Sequence, residues 1–285
     1  CKDLISRQLE VVANPVASFG LQMNSKCENE NVTQFTNTSS STSNFSSVWN
    51  FGDQTIGVKQ SPKHSYRAGT YRVQLLVQNQ DGCQDTAYKW LNILPSPEAD
   101  FSINKDKQCA DVNEFIYRQQ SSIDSGSVVS HKWLLGDGSS ATGDSIVKVY
   151  KNVLNQIDVI LISTSADGCI DSATKSVEIY PVPKSAFTVN KTEDCLSGNY
   201  FSFFNQSSIA NGNLKFQWTF GDGSGASWQH TARQFTSSDT FTVTLVAYDH
   251  CYDTSSQQII VHPQPESAFE VNDSDQCLQG NTFRF

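Results

Sequence analysis

Short runs in which every second residue is apolar recur along the whole chain. One such run stands in each repeating segment, with key positions two residues apart: Thr33 and Phe35, Phe115 and Tyr117, Phe201 and Phe203, Phe283 and Phe285. Alternation at period two places apolar side chains on one face of a strand and polar side chains on the other. The pattern therefore predicts half-buried β-strands.

A longer strand and a closing strand complete each segment. In the first segment the predicted inward positions are Tyr71, Val73, Leu75 and Val77, followed by Leu91 and Ile93. A turn of the type Asp81-Gly82-Cys83 separates the two strands. About seven short strands per 82 to 86 residues, divided by turn signals, predict a β-sandwich.

A tryptophan motif recurs once in each segment. Its copies are Trp49-Asn-Phe-Gly-Asp53, Trp133-Leu-Leu-Gly-Asp137 and Trp218-Thr-Phe-Gly-Asp222. The tryptophan and the residue two positions later share one face of a strand, and the Gly-Asp pair then ends it in a turn. We predict that the tryptophans anchor the cores and that the aspartates cap backbone amides.

The cysteines show that these segments are an internal repeat. They stand at positions 1, 27, 83, 109, 169, 195, 251 and 277, at intervals that alternate between 26 and 56 or 60 residues. Proline-containing segments such as Pro95-Ser-Pro97 separate the repeats and are predicted linkers, because proline cannot donate to a β-ladder. The predicted domains are 15–96, 97–182 and 183–264, with 1–14 and 265–285 as parts of two truncated domains.

Composition restricts the function classes. The net charge is −9 and no basic cluster occurs, so we expect no nucleic acid partner. No apolar run reaches the 18 to 20 or so residues of a membrane helix, so we expect no membrane insertion by this segment. Regularly spaced cysteines favour an extracellular, oxidising location. Zinc is disfavoured because CxxC is absent and the five histidines do not follow the repeat.

The combined motifs resemble the PKD domain, an Ig-like β-sandwich of extracellular proteins. The first repeat matches best, with Trp49-Asn-Phe-Gly-Asp53, His64-Ser-Tyr66 and Gly69-Thr-Tyr-Arg-Val-Gln-Leu75. The second repeat departs from it, with Leu134-Leu135 in the tryptophan motif. The resemblance implies an all-β chain of tandem Ig-like (PKD) β-sandwich domains arranged linearly.

The extra cysteine pair in each repeat is similar to that of PKD-like repeats in very long Bacteroidetes surface proteins. These include gliding-motility adhesins exported by the type IX system. The resemblance implies a cell-surface adhesin, and it makes Thr86 and Ser172, within Asp85-Thr-Ala87 and Asp171-Ser-Ala173, candidates for O-glycosylation.

Two disulfide arrangements remain open at this stage. Pairing within repeats would join Cys27 to Cys83, Cys109 to Cys169 and Cys195 to Cys251. Stacked pairing would join Cys27 to Cys169 and Cys109 to Cys251, and would leave Cys1, Cys83, Cys195 and Cys277 for neighbours outside the fragment. We place the stacked pairing first, because the two loops of one sandwich are expected at opposite ends, beyond the roughly 7 Å that a disulfide allows between Cα atoms.

No catalytic constellation or cofactor motif is found in the sequence, so we expect no enzyme. Acidic residues near the linkers, such as Glu98, Glu266, Asp273 and Asp275, leave Ca²⁺ as the one cation to consider, although their spacing is not dense. The leading hypothesis is a structural stalk whose partners are its neighbouring domains. The alternatives are recognition of surface glycans or proteins by loops such as 37–47 and 121–130, and an accessory array of a secreted hydrolase.

Overall fold

Three β-sandwiches follow one another along the chain. The computed structural model describes residues 11–151, 155–271, 275, 279–280 and 282. In this part of the chain the regular structure consists of strands and one short 3-10 turn, Glu28–Glu30. The predicted all-β class is therefore confirmed.

The first sandwich has seven strands in two sheets. They are β1 (Phe19–Met23), β2 (Thr33–Asn37), β3 (Phe45–Asn50), β4 (Ile56–Gly57), β5 (Lys63–His64), β6 (Gly69–Asn79) and β7 (Gln84–Ile93). One sheet has the order β1-β2-β5 and the other β4-β3-β6-β7. The long hairpin of β6 and β7 pairs in antiparallel register over its whole length.

The second sandwich has eight strands. They are β8 (Phe101–Ile103), β9 (Lys107–Cys109), β10 (Phe115–Gln119), β11 (Val128–Leu134), β12 (Ser140–Thr142), β13 (Ser145–Lys148), β14 (Asn155–Ser165) and β15 (Ile170–Tyr180). The sheet orders are β13-β10-β8 and β12-β11-β14-β15-β9. Strand β9 is the addition to the first pattern, and it pairs in parallel with the end of β15.

The third sandwich repeats the second. Its strands are β16 (Phe187–Val189), β17 (Glu193–Cys195), β18 (Phe201–Asn205), β19 (Lys215–Thr219), β20 (Gly225–Ala226), β21 (His230–Arg233), β22 (Asp239–Tyr248) and β23 (Tyr252–His262). The sheet orders are β16-β18-β21 and β17-β23-β22-β19-β20.

Packing divides the chain into two compact units, and the boundary falls within the second repeat. The second unit consists of Lys107–Asn113, Tyr150–Asn155 and Glu178–Phe285, and the first contains the remainder. The disulfide between Cys27 and Cys169 lies inside the first unit, and the disulfide between Cys109 and Cys251 lies inside the second. The predicted positions Phe283 and Phe285 lie outside the described residues.

The tryptophans of the three motifs, Trp49, Trp133 and Trp218, lie at the centres of the sandwiches and are fully buried, as expected from the motif. Each meets a phenylalanine of the first strand of its repeat edge to face, at 5.1 to 5.2 Å between ring centroids: Trp49 with Phe19, Trp133 with Phe101, Trp218 with Phe187. Each indole Nε1–H donates to a backbone carbonyl ten residues later, at 2.9 Å. The ring thus fills the core while its one polar group stays satisfied.

The glycine of the tryptophan motif allows two backbones to approach closely. Gly52, Gly136 and Gly221 all have left-handed φ angles, of 85°, 71° and 77°. A Cβ at Gly136 would stand 2.5 Å from the carbonyl oxygen of Asp158 and against the side chain of Ile157. Residues with a side chain are therefore disfavoured there by both conformation and space.

We expect Gly136→Ala to destabilise the protein more than Gly138→Ala. Both substitutions incur the cost of a left-handed φ, about 1–2 kcal/mol, but a Cβ at Gly138 meets nothing within 4 Å. The clash at Gly136 should add about 1–3 kcal/mol. Urea unfolding, followed by tryptophan fluorescence, measures the free energy of unfolding of both variants. Equal decreases in the two would show that the close backbone contact at Gly136 does not limit the side chain there.

Candidate functional site

Three cysteines occupy one position, beside the residue that ends each closing strand. We name Cys27, Cys109 and Cys195 the exit cysteines. They pair in parallel register with Leu94, Tyr180 and His262, respectively. The residue after each exit cysteine donates its N–H to the carbonyl of the same partner, at 2.8 to 3.0 Å. A single parallel bridge at Cys27, and a short parallel ladder at Cys109 and Cys195, therefore hold the exit cysteines at the ends of their sandwiches.

Three other cysteines lie in the turn between the two longest strands. We name Cys83, Cys169 and Cys251 the hairpin cysteines. The carbonyl of each accepts the N–H of the residue that begins the turn: Asn79, Ser165 and Asp249, at 2.8 to 3.0 Å. In the first two repeats the side chains of Asn79 and Ser165 also accept the cysteine N–H. The hairpin cysteines are thus as firmly placed as the exit cysteines.

Each disulfide joins an exit cysteine to the hairpin cysteine of the following repeat. Cys27 bonds to Cys169 with 5.6 Å between Cα atoms, and Cys109 bonds to Cys251 with 5.9 Å. Both bonds span 142 residues of sequence. These are the stacked pairs, and the described residues contain no pairing within a repeat.

The closing strand makes pairing within a repeat impossible. Cys83 immediately precedes β7, and Cys27 lies beside Leu94, just after that strand ends. The ten residues of β7 extend about 33 Å, whereas disulfide-bonded Cα atoms lie within about 7 Å. The same geometry separates Cys109 from Cys169.

Cys83 and Cys195 carry no disulfide, and Cys195 is exposed while Cys83 is partly buried. They are the hairpin cysteine of the first repeat and the exit cysteine of the third. Their pairing with neighbours outside the fragment stays a prediction. Cys1 and Cys277, for which the same prediction was made, lie outside the described residues.

Non-covalent contacts accompany the second disulfide. The ring of Tyr180 stacks on His250, with 4.0 Å between centroids and 11° between planes. The Cys251 sulfur lies 3.9 Å from the carbonyl oxygen of Tyr180. The end of the second repeat's closing strand is therefore covered by the hairpin turn of the third repeat.

An aspartate two residues after each hairpin cysteine ties that turn to the start of its own domain. Asp85, Asp171 and Asp253 accept the backbone N–H of Ala17, Ala99 and Ser185, at 2.7 to 2.8 Å. This contact accounts for the aspartate two residues after each hairpin cysteine without any modification. Thr86 is half-buried and Ser172 exposed, and their glycosylation stays a prediction.

The aspartates of the tryptophan motif cap their turns as predicted. Asp53, Asp137 and Asp222 accept the N–H of the residue two positions later, at 2.9 to 3.0 Å. The second carboxylate oxygen of each contacts a basic side chain eleven residues later: His64, Lys148 and Arg233, at 2.6 to 2.7 Å. Lys148 and Arg233 were not predicted from the sequence, although their fixed spacing from Gly-Asp is visible in the repeat.

These contacts lower the pKa values of the turn aspartates. Burial alone would raise the pKa of Asp137, but hydrogen bonds from Lys148 and Ser139 outweigh it and lower that pKa to about 2. The pKa values of Asp53 and Asp222 lie below the ordinary range for the same balance of burial against hydrogen bonds. Carboxylates held ionised in this way stabilise a turn and are poor proton donors near neutral pH.

A buried asparagine in each repeat is a second feature that the sequence analysis missed. Asn31, Asn113 and Asn199 bond through their side chains to both the N–H and the C=O of a single aromatic residue: Tyr66, Tyr150 and Phe235, respectively. Each amide also donates to the carbonyl of the residue just after the exit cysteine. An asparagine stands four residues after each exit cysteine, and this recurrence in the sequence could have revealed it.

The described residues contain no group of three or more His, Cys, Asp or Glu side chains that could hold a metal ion. Of the acidic residues considered for Ca²⁺, Glu98 forms a backbone bridge with Ser122, and Asp273 lies outside the described residues. No helix among the described residues has the length and apolarity required to cross a membrane.

The first repeat is similar in sequence to the PKD domain. The sequence profile of the PKD domain matches residues 12–91. The PKD1 domain of the Vibrio cholerae metalloprotease PrtV is 30% identical, over 29% of this chain and 99% of its own, with a TM-score of 0.26. The PKD1 domain of Vibrio anguillarum Epp is 21% identical, over 30% of this chain and 93% of its own, with a TM-score of 0.26.

A third likeness is to the N-terminal eight Ig domains of Down Syndrome Cell Adhesion Molecule, 12% identical. It covers 94% of this chain and 38% of the other, with a TM-score of 0.48. No curated protein matched the chain. The first sandwich thus carries the PKD profile, and the chain consists of tandem β-sandwiches of the PKD/Ig-like type. Its disulfides suit an extracytoplasmic, oxidising compartment.

We expect the free energy of unfolding to fall less with decreasing pH in the Asp137→Asn variant than in the unsubstituted protein. Because the pKa of Asp137 in the folded state lies below its ordinary value, its stabilising effect is present above about pH 4 and is lost as the pH falls toward 2. Its contribution at neutral pH is on the order of 1 kcal/mol, since the pair is partly solvated.

Urea unfolding at a series of pH values from 7 to about 2 measures this contribution. The matched control is Asp124→Asn, which removes an exposed loop carboxylate. If the free energy of unfolding depends on pH equally in Asp137→Asn and in the unsubstituted protein, the turn contacts do not stabilise the fold.

Proposed function

We propose that the chain is a non-catalytic stalk segment of a long extracellular cell-surface adhesin. Its tandem domains would hold a binding module away from the cell, and the resemblance to Bacteroidetes gliding adhesins makes export by the type IX system part of this proposal. The observation that carries it is the pair of disulfides, each of which joins two consecutive repeats. A stalk needs such joints, because tension acts on every linker in series.

The two disulfides overlap along the sequence, since Cys109 lies between Cys27 and Cys169. Two covalent routes therefore connect Cys27 to Cys251. One follows the 82 residues from Cys27 to Cys109 and crosses the second disulfide. The other crosses the first disulfide and follows the 82 residues from Cys169 to Cys251. The load is thereby shared between two strands of chain.

This connectivity limits how far the segment can extend even when its domains unfold. A route of 82 residues reaches at most about 290 Å, whereas the uninterrupted chain from Cys27 to Cys251 would reach about 800 Å. Either disulfide alone preserves an 82-residue route. The second disulfide therefore adds redundancy without changing the limit.

We expect stretching between the two chain ends to show this redundancy. The oxidised protein and the single variants Cys27→Ser and Cys251→Ser should all stop at the same final length. The double variant Cys27→Ser, Cys251→Ser, with its remaining thiols alkylated, should extend by about 500 Å more, because 142 further residues are released. Single-molecule force spectroscopy measures the contour length.

The double variant Cys83→Ser, Cys195→Ser is the matched control, because it removes two cysteines and neither disulfide. Its final length should equal that of the oxidised protein. A large extension in either single-disulfide variant would contradict the overlapping connectivity on which the stalk proposal stands.

Glycan recognition is a second candidate, favoured by one surface of the first repeat. Tyr88 and Trp90 alternate along β7 and are 47% and 69% exposed. The Arg72 guanidinium lies 3.9 Å from the centre of the Tyr88 ring, and Gln74 is opposite Tyr88 in the ladder. Exposed rings with polar neighbours suit a sugar, whose apolar face stacks while its hydroxyls form hydrogen bonds.

The other repeats lack this aromatic pair. Counted from the aspartate after the hairpin cysteine, the equivalent residues are Thr174 and Ser176 in the second repeat, and Ser256 and Gln258 in the third. Core packing does not require the pair, since both rings point away from the buried cluster of the first sandwich. A role specific to the first repeat is therefore consistent with their exposure.

On a glycan array, we expect the chain to bind and Trp90→Ala to weaken that binding about tenfold or more. Trp228→Ala is the matched control, because Trp228 is 75% exposed but belongs to the third repeat. This surface is excluded as the glycan site if neither Trp90→Ala nor Tyr88→Ala changes glycan binding. It is also excluded if the unsubstituted chain binds no glycan on the array.

A further inference from the structure

The outward face of the larger sheet in the first repeat carries a single charge. This face consists of the even-numbered residues of β3, β4, β6 and β7, because odd-numbered residues such as Trp49 and Val73 point into the core. Arg72 is the only charged residue among those even-numbered positions. The exposed rings of Tyr88 and Trp90 lie on the same face. The face therefore combines two aromatic rings with one cation.

The Arg72 side chain is held beside the rings and has no polar partner. Arg72 stands directly opposite Trp90 in the ladder, so both side chains leave the sheet side by side. The guanidinium lies over the Tyr88 ring, 3.9 Å from its centre. In the part of the chain that the structure describes, it donates no hydrogen bond and forms no ion pair. The ring contact occupies one face of the guanidinium and leaves the N–H groups at its edge available to a ligand.

The other two repeats show that the sheet does not require this cation. The pairing with the tryptophan strand aligns Arg72 with Asp158 in the second repeat and Thr242 in the third. Ser176, which aligns with Trp90, donates its hydroxyl to Asp158 at 2.6 Å, so these two side chains satisfy each other. The same sheet thus forms around a closed polar pair. In the first repeat a cation and an indole take the place of that pair.

We propose that this face of the first repeat binds an acidic glycan through a hexuronic acid residue. The sugar ring stacks on Trp90, and the sugar carboxylate accepts N–H groups of Arg72, whose planar fork matches the two carboxylate oxygens. Gln74 is opposite Tyr88 and supplies an amide for sugar hydroxyls. The proposal rests on the glycan candidate described above and adds the class of sugar.

Preference for an acidic sugar has to come from contact with Arg72. The chain carries a net charge of −9, so its overall field does not attract a polyanion. A hydrogen bond between a guanidinium and a carboxylate is roughly twice as strong as one between neutral groups. Removal of the one cation on the face should therefore abolish the preference and leave the stacking on Trp90 intact.

Binding of hexuronic acid polymers to the full chain, measured by isothermal titration calorimetry, tests the proposal. Polygalacturonate, alginate and hyaluronan are each compared with their methyl ester, which keeps the sugar rings and lacks the charge. At least one acid form should bind about tenfold or more tightly than its ester. Arg72→Gln should lower the affinity for that acid form to the affinity for the ester, and Trp90→Ala should weaken both. Arg67→Gln is the matched control, because it removes an exposed arginine outside this face and should leave the preference unchanged.

The outcomes separate the class of sugar from the glycan site itself. If ester and acid bind equally and Trp90→Ala weakens both, the glycan site stands and the acidic class is wrong. The acidic class is also wrong if Arg72→Gln keeps the preference, or if dextran sulfate, which has no carboxylate, binds as tightly and with the same dependence on Arg72. If none of the three polymers binds in either form, the hexuronic acid is overturned, and the glycan site falls with it only if the glycan array is also negative.

Discussion

The disulfide between an exit cysteine and the hairpin cysteine of the next repeat is the constraint on which the rest of the arrangement depends. The closing strand, ten or eleven residues long, separates the two cysteines of every repeat. Neither can reach the other, so each can bond only to a different repeat. The length of one β-strand thereby forces the two cysteines of a repeat to bond to two different repeats. Successive disulfides then overlap along the sequence, because the exit cysteine of one repeat precedes the hairpin cysteine to which the previous repeat is bonded.

The recurring polar residues that the structure describes hold the turns and strands of this framework in place. The turn aspartates are held by backbone amides and basic side chains, and the buried asparagines bond to the aromatic residue of the neighbouring segment. Because the same contacts occur in each repeat, they are explained by folding alone. Residues that depart from the repeat, such as Tyr88, Trp90 and His250, are the ones that require another explanation.

The joints differ in detail, which shows how much variation the disulfide permits. Leu94 directly follows the closing strand at the first joint, whereas Tyr180 at the second stacks on His250 of a shortened hairpin turn. The covalent bond and the parallel backbone pairing beside it are common to both. Side-chain contacts around the joint are therefore adjustable, while the backbone that carries the cysteines is not.

Local patterns in the sequence were sufficient to predict the strands, the tryptophan cores and the capping aspartates. The reason is that strand alternation, the Trp-x-Phe pair and the Gly-Asp turn each involve residues within a few positions of one another. The cysteine spacing likewise revealed the repeat. None of these patterns could choose among the pairings of the cysteines, since that choice depends on which distant residues converge.

Only the folded chain decided the features that join remote segments. The short strands β9 and β17 exist because they pair with the far end of the closing strand, and their own sequences carry little strand signal. The packing of one sheet against another brings Lys148 into contact with Asp137, and Asn113 into contact with Tyr150. The partners of Cys27 and Cys109 were decided in the same way, because a disulfide forms only where the fold brings two Cα atoms within about 7 Å.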